Sequence, residues 1–284
     1  MLYGACFDAR TCDIALIAGI ASWPRVPDLQ HDLIGDDTLH RHERNHEGRD
    51  FVVGDIHGHL QQLEALLAWV NFDRTRDRLF AVGDLIDRGP DSAAALQLVD
   101  APWFFAVRGN HEQMMLDAHA AGAFASAEAL WLSNGGAWSR QLDVGELAAH
   151  CQRAARLPLA MTVTIEGGAR LGLVHADIGV ADWADFVGRL DETAIKDTAL
   201  WSRHTLGRLS AGQDASLAHV TGIDVIFHGH TPLAAPLAVA NRRWLDTGVF
   251  TPDGALTLAE LLPDGRLWSI DRSGRVCETA WTAG

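Results

Sequence analysis

Cysteine is scarce and scattered. The chain has four, Cys6, Cys12, Cys151 and Cys277, with neither the paired spacing of a zinc ribbon nor the density of a small disulfide-stapled secreted protein. Free thiols in a reducing cytoplasm are the expectation. Basic residues are also short: 23 Lys+Arg stand against 37 Asp+Glu, a formal charge of −14. That balance argues against a general nucleic-acid or anionic-membrane binder, because phosphate-rich surfaces attract basic ones. No apolar run approaches the ~18 residues that a bilayer-spanning helix needs. The apolar stretch from Ile14 to Trp23 is short, and Arg10 between Asp8 and Asp13 makes a poor signal-peptide start. These absences point to a cytoplasmic, globular protein. Net acidity does not forbid an anionic substrate where bound cations reverse the field locally.

What is present divides the chain by texture. Up to about residue 50 it carries Pro24 and Pro27, then His31, Asp36, Asp37, His40, His42 and His46 without a helical repeat. We expect residues 1–49 to be a poorly ordered N-terminal extension and residues 50–284 to form a single ordered domain. From Phe51 onward, short apolar runs end in Gly-Asp or Gly-Asn and are followed by helical patterns. Phe51 to Val53, Leu79 to Val82 and Trp103 to Val107 read as buried strands. Leu60, Leu63, Leu66, Leu67 and Val70 recur at helical spacing; Asp91 is placed to cap a second helix, and a third runs from about His111 to Ala121. Two more strands end at His175 and just before His228-Gly229-His230. Beyond residue 235 come short strand-like segments: Pro236 to Ala240, Arg243 to Asp246, Ala255 to Leu261 and Leu267 to Ile270. An α/β first half followed by a β-rich second half predicts an α/β (α+β) fold of two sheets with helices outside.

The chemistry sits where these strands end. Gly54-Asp55-Ile56-His57-Gly58, Gly83-Asp84-Leu85-Ile86-Asp87-Arg88-Gly89-Pro90, Arg108-Gly109-Asn110-His111-Glu112, His175-Ala176-Asp177 and Gly229-His230-Thr231-Pro232 each offer oxygen or nitrogen donors beside a strand end. Any one of them alone reads equally well as a turn. Loops at the carboxyl ends of strands converge on one crevice, so together they read as a metal site. Carboxylate, imidazole and amide oxygen in combination suit manganese, iron or zinc better than calcium or magnesium.

With these motifs, and with Trp103 to Met115, Leu132-Ser133-Asn134-Gly135-Gly136, Leu200-Trp201-Ser202-Arg203 and Asp246-Thr247-Gly248, the sequence resembles the metallophosphoesterases of the phosphoprotein phosphatase type. It is most similar to the small bacterial and bacteriophage-lambda-like serine/threonine protein phosphatases, over about residues 50 to 260. The resemblance implies a calcineurin-like fold, a central two-sheet β-sandwich flanked by helices, and two divalent ions, with Mn²⁺ preferred and Fe or Zn²⁺ also suited. It places Asp55 and His57 on one ion, Asn110, His175 and His230 on the second, and Asp84 between them. It implies a dimetal-dependent phosphomonoesterase in which a hydroxide shared by the ions attacks phosphorus. Arg88, Arg108 and Arg203 are assigned to the phosphate oxygens, and His111 to the proton donor, steadied by Asp87. The implied partner is a phosphorylated protein or peptide.

Asp246-Thr247-Gly248-Val249-Phe250 stands where larger relatives carry a Ser-Ala-Pro-Asn-Tyr loop, so docking of regulatory subunits is not carried over. The alternative activity is that of a symmetrical diadenosine-tetraphosphate hydrolase; such enzymes usually have alanine at the position of Asp87 and a different residue at that of Arg108, so both residues favour the protein-phosphatase reading. A catalytically silent binding module is a third reading, disfavoured by the intact ligand positions. Glu112 and Asp177 read as loop scaffolding, and His59 receives no role. His228 reads as core before second shell, and Trp131, Trp138, Trp183, Trp201 and Trp244 as core.

Overall fold

Successive strand side chains point to opposite faces, and this chain uses both. In the computed structural model, which describes residues 38–120, 125–262 and 265–283, strand β2 (Asp50–Val53) follows an edge strand, β1 (Leu39–His42). Val52 faces a core between two sheets, while Phe51 and Val53 face helices. Strand β3 (Arg78–Ala81) repeats the pattern, with Phe80 inward and Leu79 and Ala81 outward.

Six strands form one sheet in the order β12-β11-β10-β2-β3-β4. In it β2, β3 and β4 (Phe104–Ala106) run parallel. The meander β10 (Ala255–Glu260), β11 (Leu267–Asp271) and β12 (Val276–Thr279) is antiparallel. Seven strands form the other, in the order β1-β5-β6-β7-β9-β8-β13. Here β6 (Arg170–Val174), β7 (Val225–His228) and β9 (Arg242–Trp244) are parallel. β5 (Ala160–Thr164) and β8 (Leu237–Val239) pair antiparallel with β6 and β9, and β13 (Thr282–Ala283) runs along β8. Val52, Phe80, Val82, Leu171, Leu173, Val225 and Phe227 pack between the sheets. Outside, α1 (Leu60–Trp69) lays Leu63, Leu66 and Leu67 on the six-stranded sheet, as its spacing predicts, together with α2 (Ser92–Gln97) and α3 (Asn110–His119). α4 (Ala125–Ser133) and α5 (Val144–Ala155) complete that layer. Trp183, Phe186, Ile195 and Leu200 cover the seven-stranded sheet from α6 (Trp183–Gly188) and α7 (Thr193–Trp201). This is the helix-flanked two-sheet sandwich expected from the sequence. Among the described residues no helix is long and apolar enough to cross a membrane.

Three local expectations need correction. The ordered body starts before residue 50: Leu39–His42 pairs in parallel with Ala160–Val163. His42 rests edge-on against Phe80 at 5.2 Å and Phe105 at 4.6 Å. Burial pulls that ring down to about 4, so it serves packing as a neutral aromatic. Residues 1–37, with Cys6, Cys12, His31, Asp36 and Asp37, lie outside the described residues. Asp91 precedes α2 without a side-chain capping bond. Trp201 is not core; it is 37% exposed.

Candidate metal centre

The carboxyl ends of β2, β3, β4, β6 and β7 deliver Asp55 and His57, Asp84, Asn110, His175 and His230 respectively to one place, as the parallel strands require. Among the described residues, His57, Asp84 and His111 form one group of closely spaced potential ligands, and Asp84, His175 and His230 another. In each, the ligand atoms lie within 4.8 Å of one another. Asp84 belongs to both.

Each ring assigned to a metal is oriented by a backbone carbonyl on its far side. His57 Nδ1 lies 2.8 Å from the Ile86 carbonyl and His175 Nδ1 2.8 Å from that of Val82. His230 Nε2 lies 3.1 Å from the Trp201 carbonyl. That leaves His57 Nε2, His175 Nε2 and His230 Nδ1 facing inward, the arrangement in which a ring's second nitrogen fixes the ligating one. Asn110 Oδ1 lies 2.9 Å from both His175 Nε2 and His230 Nδ1, and Asp84 Oδ1 3.4 Å from His175 Nε2. These four donors surround one point. On the other side, Asp84 Oδ2 is 3.7 Å from His57 Nε2. Asp55 Oδ2 accepts the His230 N–H at 2.9 Å, and its buried Oδ1 has no hydrogen-bond partner among the described residues. Burial, followed by the charges of Asp246 and Asp84, pushes Asp55 well above the usual carboxylate range. Burial pulls His57 and His230 down to about 3, so both rings are neutral and able to ligate at neutral pH. Crowded carboxylates, the neutral imidazoles of His57 and His230, and an orphaned buried oxygen fit a pair of divalent cations.

The loops are strained where they carry these groups. Of the seven non-glycine residues with left-handed φ among the described residues, five are His57 (45°), Asp84 (50°), Asp87 (72°), Arg88 (68°) and His230 (68°). Each such conformation costs roughly 1–3 kcal/mol and persists only where surrounding contacts over-determine it. Glu112 supplies several of those contacts. Its Oε1 accepts the Leu85 and Ile86 N–H groups at 2.8 and 3.2 Å, and its Oε2 those of Asp84 and Gly109 at 3.0 and 2.9 Å. Burial and the charge of Asp84 push this carboxyl up to about 7. Glu112→Gln turns an NH₂ group toward two of those donors and strands them, at about 1–3 kcal/mol each. Urea unfolding of the metal-free protein at pH 8, where the carboxylate is ionised, is expected to show that loss. An unchanged midpoint would count against Glu112 as the clamp of the Asp84 loop.

His111 donates through Nδ1 to Asp87 Oδ2 at 2.7 Å, and its Nε2 faces Asp84 Oδ2 at 3.8 Å. Asp87 also accepts the Trp138 indole N–H at 2.7 Å and that of Trp131 at 3.0 Å. Sequence reasoning placed these two tryptophans in the core and missed this role; buried Trp usually finds a partner for its N–H. Arg88 Nη1 lies 3.0 Å from His57 Nε2, and its guanidinium stacks 4.0 Å over the Phe250 ring. Arg203 donates to the His230 carbonyl at 3.4 Å from the exposed rim. Arg108 is different: its guanidinium donates to the Ala155 carbonyl at 2.8 Å and Gln113 Oε1 at 3.1 Å. Those bonds anchor it between α3 and α5, and its Nε is buried with no hydrogen-bond partner among the described residues. His228 stacks on Trp244 at 5.3 Å, the core role expected of it. Asp177 scaffolds its loop by pairing with buried Arg242 at 2.8 Å and accepting the Thr205 N–H at 3.0 Å. Asp246, given no role from sequence, is buried beside Asp55; burial and the charge of Asp84 push it up to about 6.

Known proteins are similar to this chain in sequence or in fold. Serine/threonine-protein phosphatase 1 of Salmonella typhimurium is 39% identical over 215 residues, covering 74% of this chain and 91% of the relative. The symmetrical bis(5'-nucleosyl)-tetraphosphatase of Yersinia pestis is 46% identical over 72 residues only, 25% of each chain. The solved structure of a protein serine/threonine phosphatase from Saccharomyces cerevisiae superposes on 87% of this chain and 84% of its own. Its TM-score is 0.51 and its identity 16%, a likeness of fold. Residues 51–234 match the calcineurin-like phosphoesterase family. Five strand-end loops meeting at buried donors and a match across most of the chain lead to one assignment: this protein belongs to the calcineurin-like phosphoesterases.

Proposed function

We propose that the chain is a metal-dependent serine/threonine protein phosphatase that hydrolyses phosphomonoesters with His111 as general acid and Mn²⁺ as its preferred ion. The observation that carries this reading is the His111–Asp87 pair, held at 2.7 Å and locked by two tryptophan indoles, with Nε2 turned toward the ligand cluster. A serine alkoxide is a poor leaving group and needs a proton as its P–O bond breaks. The likeness to the Salmonella phosphatase along most of both chains supports the same substrate class.

Asp55, His57 and Asp84 would hold one divalent ion, and Asp84, Asn110, His175 and His230 the other. Bound there, the ions supply Lewis acidity toward the phosphoryl oxygens and activate the attacking water. The chain's own residues do the rest. Arg88 and Arg203 present forked donors to the phosphate oxygens, which suits a dianion better than a lysine point charge. Water oxygen bonds to phosphorus, the ester oxygen leaves, and the His111 Nε2 proton passes to it. The products are inorganic phosphate and a free serine or threonine hydroxyl.

Similarity to the Yersinia tetraphosphatase over 72 residues keeps diadenosine tetraphosphate as the second reading. Manganese-loaded protein assayed side by side on a phosphoseryl peptide and diadenosine tetraphosphate decides between them. Phosphate release from the peptide is expected; rapid ADP formation with an inert peptide would overturn the protein-phosphatase reading.

A further inference from the structure

Asp246 follows β9 on the loop that carries Phe250 beneath Arg88. It is 2% exposed, and its Oδ1 accepts the Gly248 N–H at 2.9 Å. Among the described residues its Oδ2 is buried with no hydrogen-bond partner, the same condition as Oδ1 of Asp55 nearby. The two halves of the centre are unequal. Asp84, Asn110, His175 and His230 give one half four protein donors, whereas Asp55, His57 and Asp84 give the other three. The Asp246 backbone packs against Gly54, where a Cβ would come 3.4 Å from Asp246 N, so the orphaned carboxylate belongs to the loop beside Asp55.

A buried carboxylate whose only bond is to one backbone N–H keeps most of its desolvation cost. Asn or Ser would hold the Gly248 turn equally well, since each offers an acceptor. A second anionic oxygen crowding Asp55 and Asp84 is stabilising only toward a cation. We infer that Asp246 is a further residue of the centre, giving its free Oδ2 to the divalent ion on the Asp55 and His57 side. The inference rests on the metal-dependent reading above and adds a residue to it.

The charge balance changes accordingly. With Asp55 and Asp84 alone, two divalent ions would leave two positive charges for a phosphate dianion. With the Asp246 carboxylate as a further ligand one of those charges would go, and Arg88 and Arg203 would supply more of the cationic field that meets the substrate.

The test uses the full metal-free chain, titrated calorimetrically with Mn²⁺ alone, with bound metal counted by elemental analysis. The wild type is expected to take up two ions. Asp246→Asn keeps an acceptor for Gly248 and removes the charge; it should weaken one ion about 10–100-fold, the usual cost of losing a supporting residue around a metal. The other ion should stay within about twofold of wild type on the same scale. The metal-free unfolding midpoint should hold or rise, because carboxylate crowding is relieved. Asp246→Ser repeats the test with a different acceptor. Two ions bound at wild-type affinity in both variants would overturn the inference while leaving the metal reading intact. A wild-type chain that takes up no manganese would overturn the parent reading, and this inference with it.

Discussion

Asp84→Asn is expected to abolish practically all phosphomonoester hydrolysis, beyond the roughly 100-fold upper range for a supporting residue around a metal, and to leave one bound manganese ion instead of two. Asp84 is the only side chain that belongs to both ligand groups found among the described residues. Its Oδ1 accepts the His111 N–H at 3.0 Å and lies 3.4 Å from His175 Nε2. Its Oδ2 lies 3.7 Å from His57 Nε2 and 3.8 Å from His111 Nε2. An asparagine keeps its oxygen where the His111 N–H needs an acceptor, which sends the NH₂ toward His57. An amide nitrogen cannot ligate, so the ion on the Asp55 and His57 side is lost while the Asn110 side retains an oxygen. Elemental analysis and steady-state kinetics on the same preparation check both parts. A variant that binds two ions and turns over at the wild-type rate would remove Asp84 from its bridging position.

The reason so much of this centre was legible in the sequence is that its grammar is local. A buried strand is an apolar run, and the ligand follows it within a few residues beside a glycine, as in Val53-Gly54-Asp55 and Val82-Gly83-Asp84. Parallel neighbours then bring the loops together without further instruction. Asp246 obeys the same grammar, since it ends the Arg243 to Asp246 run and precedes Thr247-Gly248, so its burial was readable in principle. The roles of Trp131 and Trp138 were not. Their indoles reach Asp87 from 44 and 51 residues away in the chain, and no local pattern encodes that distance. The bond from Arg108 to the Ala155 carbonyl, 47 residues away on a separate helix, was equally invisible to local pattern. The N-terminal boundary is hidden by its period: His40 and His42 lack a helical repeat but alternate as strand residues do, with ring centroids 6.5 Å apart on β1.

His111→Asn should separate leaving groups. Hydrolysis of a phosphoseryl peptide is expected to fall by about 10²–10⁴, the usual contribution of a positioned acid, while an activated aryl phosphate should lose less than roughly tenfold because its leaving oxygen needs no proton. The geometry restricts what else the substitution can do. His111 Nδ1 is committed to Asp87, so the variant removes the proton at Nε2 and leaves Asp55, His57, Asn110, His175 and His230 unchanged. Manganese content should therefore remain at the wild-type value. His111 Nε2 also lies in the group formed with His57 and Asp84, which gives the experiment a second edge. Equal slowing of both substrates together with loss of one ion would make His111 a ligand, and the two tryptophans behind Asp87 would then be orienting a metal-binding ring instead of an acid.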